Sequence, residues 1–152
     1  MTFEKAVRKT PSIRDAYRRG LNALRGTDRA HIAVDDTRLL TGSVDLDTTL
    51  RSLYPNESRW DYGVAHKKRR QAERVYWIEI HPATNATHIA EVESKFDWLN
   101  HWLANEGALL NSFEKRFIWV STGRTEFSPT SPHRRRLAAQ GLVLSGREFR
   151  IT

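Results

Sequence analysis

The chain has 152 residues, 39% hydrophobic and 28% charged, with five Trp and no Cys, which suits a single domain and excludes a disulfide framework or any thiolate metal site. No apolar run approaches the length of a membrane span and no N-terminal stretch resembles a signal peptide, so a cytoplasmic protein without a membrane partner is expected. A formal net charge of +7 favours acidic partners, nucleic acid first.

Residues 1–11 read as a basic arm. Ser12 and Asp15 form a capping arrangement, and Ile13, Tyr17, Leu21 and Leu24 recur at helical spacing until Gly26, which predicts a helix. Residues 27–37 favour no element. Val44, Leu46, Thr48 and Leu50 alternate with Asp45, Asp47 and Thr49, the pattern of a half-exposed strand. On its outer face Asp45 and Asp47 serve either as solvated edge charge or as further ligands through water. Pro55-Asn56-Glu57-Ser58 is a turn, residues 59–66 a second strand, and 67–73 a basic, polar connection into a third strand over 74–81.

Pro82 ends that strand. Ile89, Val92, Phe96, Leu99 and Leu103 mark an amphipathic helix over 87–105, closed near Gly107. Phe117-Ile118-Trp119-Val120 is a short buried strand, Thr130-Ser131-Pro132 opens a helix over 132–140 that stops at Gly141, and residues 142–151 contain a final strand. Short turns imply antiparallel pairing of the first three strands, and the long helix permits a right-handed crossover to a parallel neighbour. The expected fold class is α/β, a mixed central sheet flanked by helices.

Side chains alternate across a strand, so Trp77, Glu79 and His81 share one face of the third strand. A buried carboxylate costs several kcal/mol unless a metal, a cation or hydrogen bonds meet it. Glu79 therefore either serves a metal or catalytic site or forms a buried salt bridge with an arginine. Asp61 is a site carboxylate or a turn cap. His81, before a proline, either bonds the backbone or joins the site. Glu91 and Lys95 at i, i+4 suit a surface ion pair, unless Lys95 turns toward the sheet. Trp98 and Trp102 fit core or interface packing better than base stacking. His81 and His88 match no zinc spacing, Ser121-Thr122-Gly123-Arg124 is too short for a phosphate loop, and no serine elbow is present.

Asp61 in Arg59-Trp60-Asp61-Tyr62, the triplet Glu79-Ile80-His81, and the order helix–strand–strand–strand–helix–strand over about residues 12–121 resemble the restriction-endonuclease-like, or PD-(D/E)XK, phosphodiesterase fold. Trp60 stands where that family usually has proline, and His81 where it has lysine. Tyr76–Ala83 and Phe96–Leu103 also look similar to a group of small bacterial proteins without assigned activity. The resemblance implies a single nuclease-like domain over 1–152, with Mg²⁺ or Mn²⁺ held by Asp61 and Glu79 and the backbone carbonyl of Ile80. It implies a catalytic set of Asp61, Glu79, His81 and Lys95, the last as a lysine migrated to the helix. His81 contacts the water or transition state, or ligates the metal and shifts preference toward Mn²⁺ or Zn²⁺. Lys67, Lys68, Arg69, Arg70, Arg134 and Arg135 are the expected nucleic-acid contacts, DNA being favoured, though a solvated basic turn would look the same. A homodimer that cuts both strands is a further implication. The expected function is a divalent-metal-dependent nuclease or a degenerate nuclease-like DNA-binding protein. The alternatives are a non-catalytic protein-interaction module on the same fold, and a nucleic-acid binder without chemistry.

Overall fold

The computed structural model describes residues 1–125 and 131–152. Five strands form one mixed sheet: β2 (Leu40–Asp45), β3 (Tyr62–His66), β4 (Arg74–Pro82), β5 (Glu114–Thr122) and β6 (Leu142–Ser145), in that spatial order. β2–β3 and β3–β4 pair antiparallel, β4–β5 and β5–β6 parallel. A separate two-stranded parallel sheet joins β1 (Ile32–Val34) to β7 (Phe149–Ile151), so the predicted last strand is divided between two sheets. The helices are α1 (Phe3–Arg8), α2 (Gly26–Arg29), α3 (Leu46–Leu50), α4 (Ala86–Ala104), α5 (Ala108–Asn111) and α6 (Pro132–Ala139).

Both faces of the sheet are covered, and each strand sorts its side chains by parity. On β4, Val75 and Trp77 enter the core beneath the helices, while Tyr76 and Ile78 enter a second core with Leu21, Leu24, Ile32 and Ile151. Trp60, Trp77 and Trp119 are fully buried in the helix-side core. Each removes about 200 Å² from water, about 5 kcal/mol of gross hydrophobic stabilisation before ordering entropy.

α4 forms where the apolar spacing places it. Asn85 accepts a hydrogen bond from the His88 N–H as N-cap, and Ile89, Val92, Phe96, Leu99 and Leu103 are buried as one stripe. α6 starts at Ser131, which caps through the Arg134 N–H ahead of Pro132; the Thr130 part of that signal lies outside the described residues. No helix among the described residues is long and apolar enough to cross a membrane.

Three expectations are corrected. Residues 1–11 are no loose arm: Phe3, Ala6 and Val7 of α1 are fully buried, and Glu73 accepts from the Phe3 N–H at 3.0 Å, tying the helix start to the sheet. Residues 13–24 are not a helix. After a 3₁₀ turn over Pro11–Ile13 the chain crosses the sheet edge, where Arg18 bridges Ser43, and Gly20 turns at φ 51. Ile13 thereby reaches the helix-side core and Leu21 and Leu24 the opposite one, a division that no single helix face provides. The strand expected over 44–50 ends at Asp45, whose carboxylate accepts from the Thr48 N–H and caps α3; Leu46 and Leu50 are then buried one helical turn apart, with Thr48 between them exposed.

Candidate active site

The β3–β4 register pairs Tyr62 with Ile78, so Asp61 and Glu79 face each other at the open end of the hairpin. Each carboxylate takes a backbone N–H from the other strand: Asp61 N donates to Glu79 Oε1 at 3.1 Å, and Ile80 N donates to Asp61 Oδ2 at 3.0 Å. α4 adds Lys95, whose Nζ donates to Glu79 Oε2 at 2.7 Å. Lys95 gets there because its neighbour Phe96 and the stripe residues Val92 and Leu99 seat α4 on this part of the sheet. Glu79 is wholly buried and Asp61 is 7% exposed.

His81 closes the cluster at the rim. Its Nδ1 lies 3.8 Å from Glu79 Oε2 and its Nε2 2.6 Å from Glu91 Oε2. The Trp119 indole N–H donates to the His81 carbonyl at 2.8 Å, which fixes the strand end, and the His88 ring stands edge-on at 5.6 Å. Ser58, Thr87, Ala90, Ser94, Glu91, His81 and Lys95 line an open hollow of about 350 Å³ above the cluster.

Burial lifts the Glu79 carboxyl well above its ordinary range, Asp61 adds to this, and Lys95 opposes it. Burial likewise pushes Asp61 up to about 6, against Lys95 and the Ile80 N–H. For Lys95, burial disfavours the charge, yet Glu79 and Asp61 outweigh it and raise the pKa, so the ammonium persists at neutral pH. Burial lowers His81, with Glu91 pulling the other way, and the imidazole is neutral near pH 7. Two carboxylates thus share one ammonium, and with both ionised the cluster is one positive charge short. A proton or a further cation would complete it.

The family resemblance implies a divalent ion at these donors. Among the described residues no three His, Asp or Glu side chains gather as a metal-binding group. Mg²⁺ and Mn²⁺ do not need one, since two carboxylates with waters and substrate phosphate oxygens suffice. Hard oxygens, with a deficit of positive charge, fit those ions. Glu91 engages His81 Nε2, which leaves Nδ1 as the ring nitrogen of His81 that faces the carboxylates.

Asp61, Glu79, His81 and Lys95 are brought together. The arginine partner considered for Glu79 is corrected to Lys95, and the Glu91–Lys95 surface pair does not form, because each residue turns to the sheet. Asp47 is no solvated edge charge: it pairs with Arg59 at 3.1 Å and Arg51 at 3.3 Å. Trp102 is buried and Trp98 stacks on it at 6.1 Å, with its N–H given to Glu57 at 2.6 Å, so neither is an open base-stacking surface. Arg134 and Arg135 begin α6 at the site's end of the sheet. An Arg134 guanidinium N–H reaches the Leu144 carbonyl, and Leu144 is level with Trp119, itself level with Glu79. Lys67, Lys68, Arg69 and Arg70 lie at the other end. His66 pairs with Arg74 beside them, and from Arg74 to Glu79 the strand advances about 17 Å.

Glu91 is the member of this cluster that sequence reading placed elsewhere. Its spacing to Lys95 was visible, but its partner His81 depends on how α4 crosses β4. No protein-family model, no curated protein and no solved structure matches the chain.

Proposed function

We propose that this protein is a divalent-metal-dependent nuclease of PD-(D/E)XK type with DNA as the favoured substrate. The observation that carries the reading is the convergence of Asp61, Glu79 and Lys95, residues from two strands and a helix, with Lys95 Nζ 2.7 Å from Glu79 Oε2. The element order supports it: α1, β2, β3, β4, α4 and β5 follow helix–strand–strand–strand–helix–strand, with α2, β1 and α3 as additions. α1 takes the first helical place, which the sequence had suggested for residues 13–26.

Asp61 and Glu79 would hold Mg²⁺ or Mn²⁺, which when bound acidifies a water and screens the phosphate. The rest falls to this chain's own side chains. Lys95, kept charged by two carboxylates, supplies the cation that the family carries two residues after its glutamate, and it offsets negative charge developing on the phosphate. His81 can give its Nε2–H to Glu91, which leaves the Nδ1 lone pair toward the cluster as a proton acceptor. Arg134 and Arg135, in the first turn of α6, would supply phosphate contacts in this reading.

A second reading has its own observation. Both Glu79 oxygens already have partners, Asp61 N–H and Lys95, so the cluster also suits a structural ion pair in a non-catalytic interaction module. Mn²⁺ binding followed by electron paramagnetic resonance, beside cleavage of labelled DNA, separates the two. The nuclease reading expects binding and cleavage that Glu79→Gln removes. The interaction module expects neither from the wild-type protein.

A further inference from the structure

The tip of the β3–β4 hairpin carries Lys67, Lys68, Arg69 and Arg70 in succession, and Lys67, Arg69 and Arg70 are exposed. None of the four has an acidic partner among the described residues. The nearby carboxylates are committed elsewhere. Glu73 accepts from the Phe3 N–H and the Thr41 hydroxyl, and Glu114 pairs with Arg74 and Arg116. The charge is felt next door: burial, then Lys68 and Arg74, hold His66 below its ordinary pKa.

The backbone adds an independent sign. Arg70 has φ 63, the only non-glycine residue at positive φ among the described residues. Glycine or asparagine would take that conformation at lower cost. An arginine held there, beside three other cations, keeps charge at the expense of backbone ease.

We propose that this tip is a docking surface for the phosphate backbone of duplex nucleic acid, separate from the Asp61–Glu79–Lys95 cluster. The composition of residues 67–73, Lys-Lys-Arg-Arg-Gln-Ala-Glu, decides among polyanions. It has no aromatic side chain on which an unpaired base could stack, which disfavours a single strand. It has no large apolar side chain to enter a bilayer, which disfavours a lipid surface. Regularly spaced phosphates suit it, without sequence readout. From Arg74, just past the tip, to Glu79 the strand advances about 17 Å, so a duplex held on the tip lies at least about five base-pair rises from the carboxylates. The surface is therefore an anchor and takes no part in hydrolysis.

The test is fluorescence anisotropy of a labelled 20-base-pair duplex in excess chelator, where no cleavage occurs. Four phosphate contacts predict a slope of log K against log salt near −3.6, about a hundredfold weaker binding at 200 mM than at 50 mM salt. Replacing Lys67, Lys68, Arg69 and Arg70 together by Gln should flatten the slope by about 3.6 and lower affinity at least tenfold. A Lys67→Arg, Lys68→Arg, Arg69→Lys, Arg70→Lys variant should keep both. Arg70→Gly should raise the melting temperature while weakening binding. Unchanged binding in the Gln variant, a preference for single strands, or tighter binding to phosphatidylserine vesicles than to duplex overturns the proposal. Loss of cleavage with this binding intact would count against the nuclease reading alone.

Discussion

Lys95 Nζ lies 2.7 Å from Glu79 Oε2, and this contact joins α4 to the centre of the sheet. Glu79 is completely buried and Lys95 largely so, which makes the pair unequal to its parts. Removing one partner strands a charge in a poorly solvating interior, whereas removing both leaves space that apolar groups can fill. Lys95→Met is therefore expected to destabilise the fold by about 3–5 kcal/mol in urea denaturation, and Lys95→Met with Glu79→Leu by less, the remainder coming from the Asp61 N–H and carboxylate that lose their partners. If the double variant is as unstable as the single, the ion pair is not what the Lys95 substitution breaks.

Asp61 gives a pH prediction whose sign is fixed by its surroundings. Its carboxyl ordinarily titrates near 3.8 and burial raises it to about 6 in the folded protein. The folded state then holds this proton more tightly than the unfolded chain does. Its contribution is fully present below about pH 3.8 and is lost as pH rises to about 6. Asp61→Asn, which can still accept from the Ile80 N–H, should remove that decline. Melting temperatures of both proteins from pH 4 to 7 check this: the gap in favour of Asp61→Asn should widen with pH. A constant gap contradicts it.

Gly63 tests the packing beneath the site. A Cβ on Gly63 would sit 2.6 Å from the Trp77 ring, and Trp77 is fully buried between the sheet and α4. Gly63→Ala should therefore cost about 1–3 kcal/mol through overpacking. Chemical denaturation measures the loss, and near-ultraviolet circular dichroism should report the displaced indole.

The N-terminal segment offers a contrast with its composition. Phe3 is fully buried and packs near Tyr17, with ring centroids 6.3 Å apart. Phe3→Ala is expected to cost about 3–5 kcal/mol, a loss that an unstructured arm would not show. Limited proteolysis should leave residues 1–9 attached in the wild-type protein.

What the sequence made legible follows from how local each signal is. β4, α4 and β5 were readable because their patterns are local: an apolar β-branched run, and a 3.6-residue apolar period with a cap. Residues 13–24 imitated that period while feeding two different cores, since the chain wraps the edge of β2, and only tertiary structure separates Ile13 from Leu21 and Leu24. Asp45 misled in a similar way, because a strand-like alternation continues through a residue that in fact caps a helix. At the site, Asp61 and Glu79 were visible as carboxylates on adjacent strands, and Lys95 as a helical cation with two possible partners. The bond between Glu91 and His81 was not visible, because residues ten apart meet only through the turn of α4 over the strand end.

Plasmid cleavage in a Mg²⁺ and Mn²⁺ series, with wild-type protein and Lys95→Arg side by side, tests the hydrolytic role of the cluster most directly. Lys95→Arg keeps a positive charge beside Glu79, so folding is retained while the ammonium's position changes. The account predicts metal-dependent cleavage by the wild type, abolished by chelator and reduced at least tenfold by the substitution. Equal cleavage by both proteins, or none by folded wild-type protein with either metal, would contradict it.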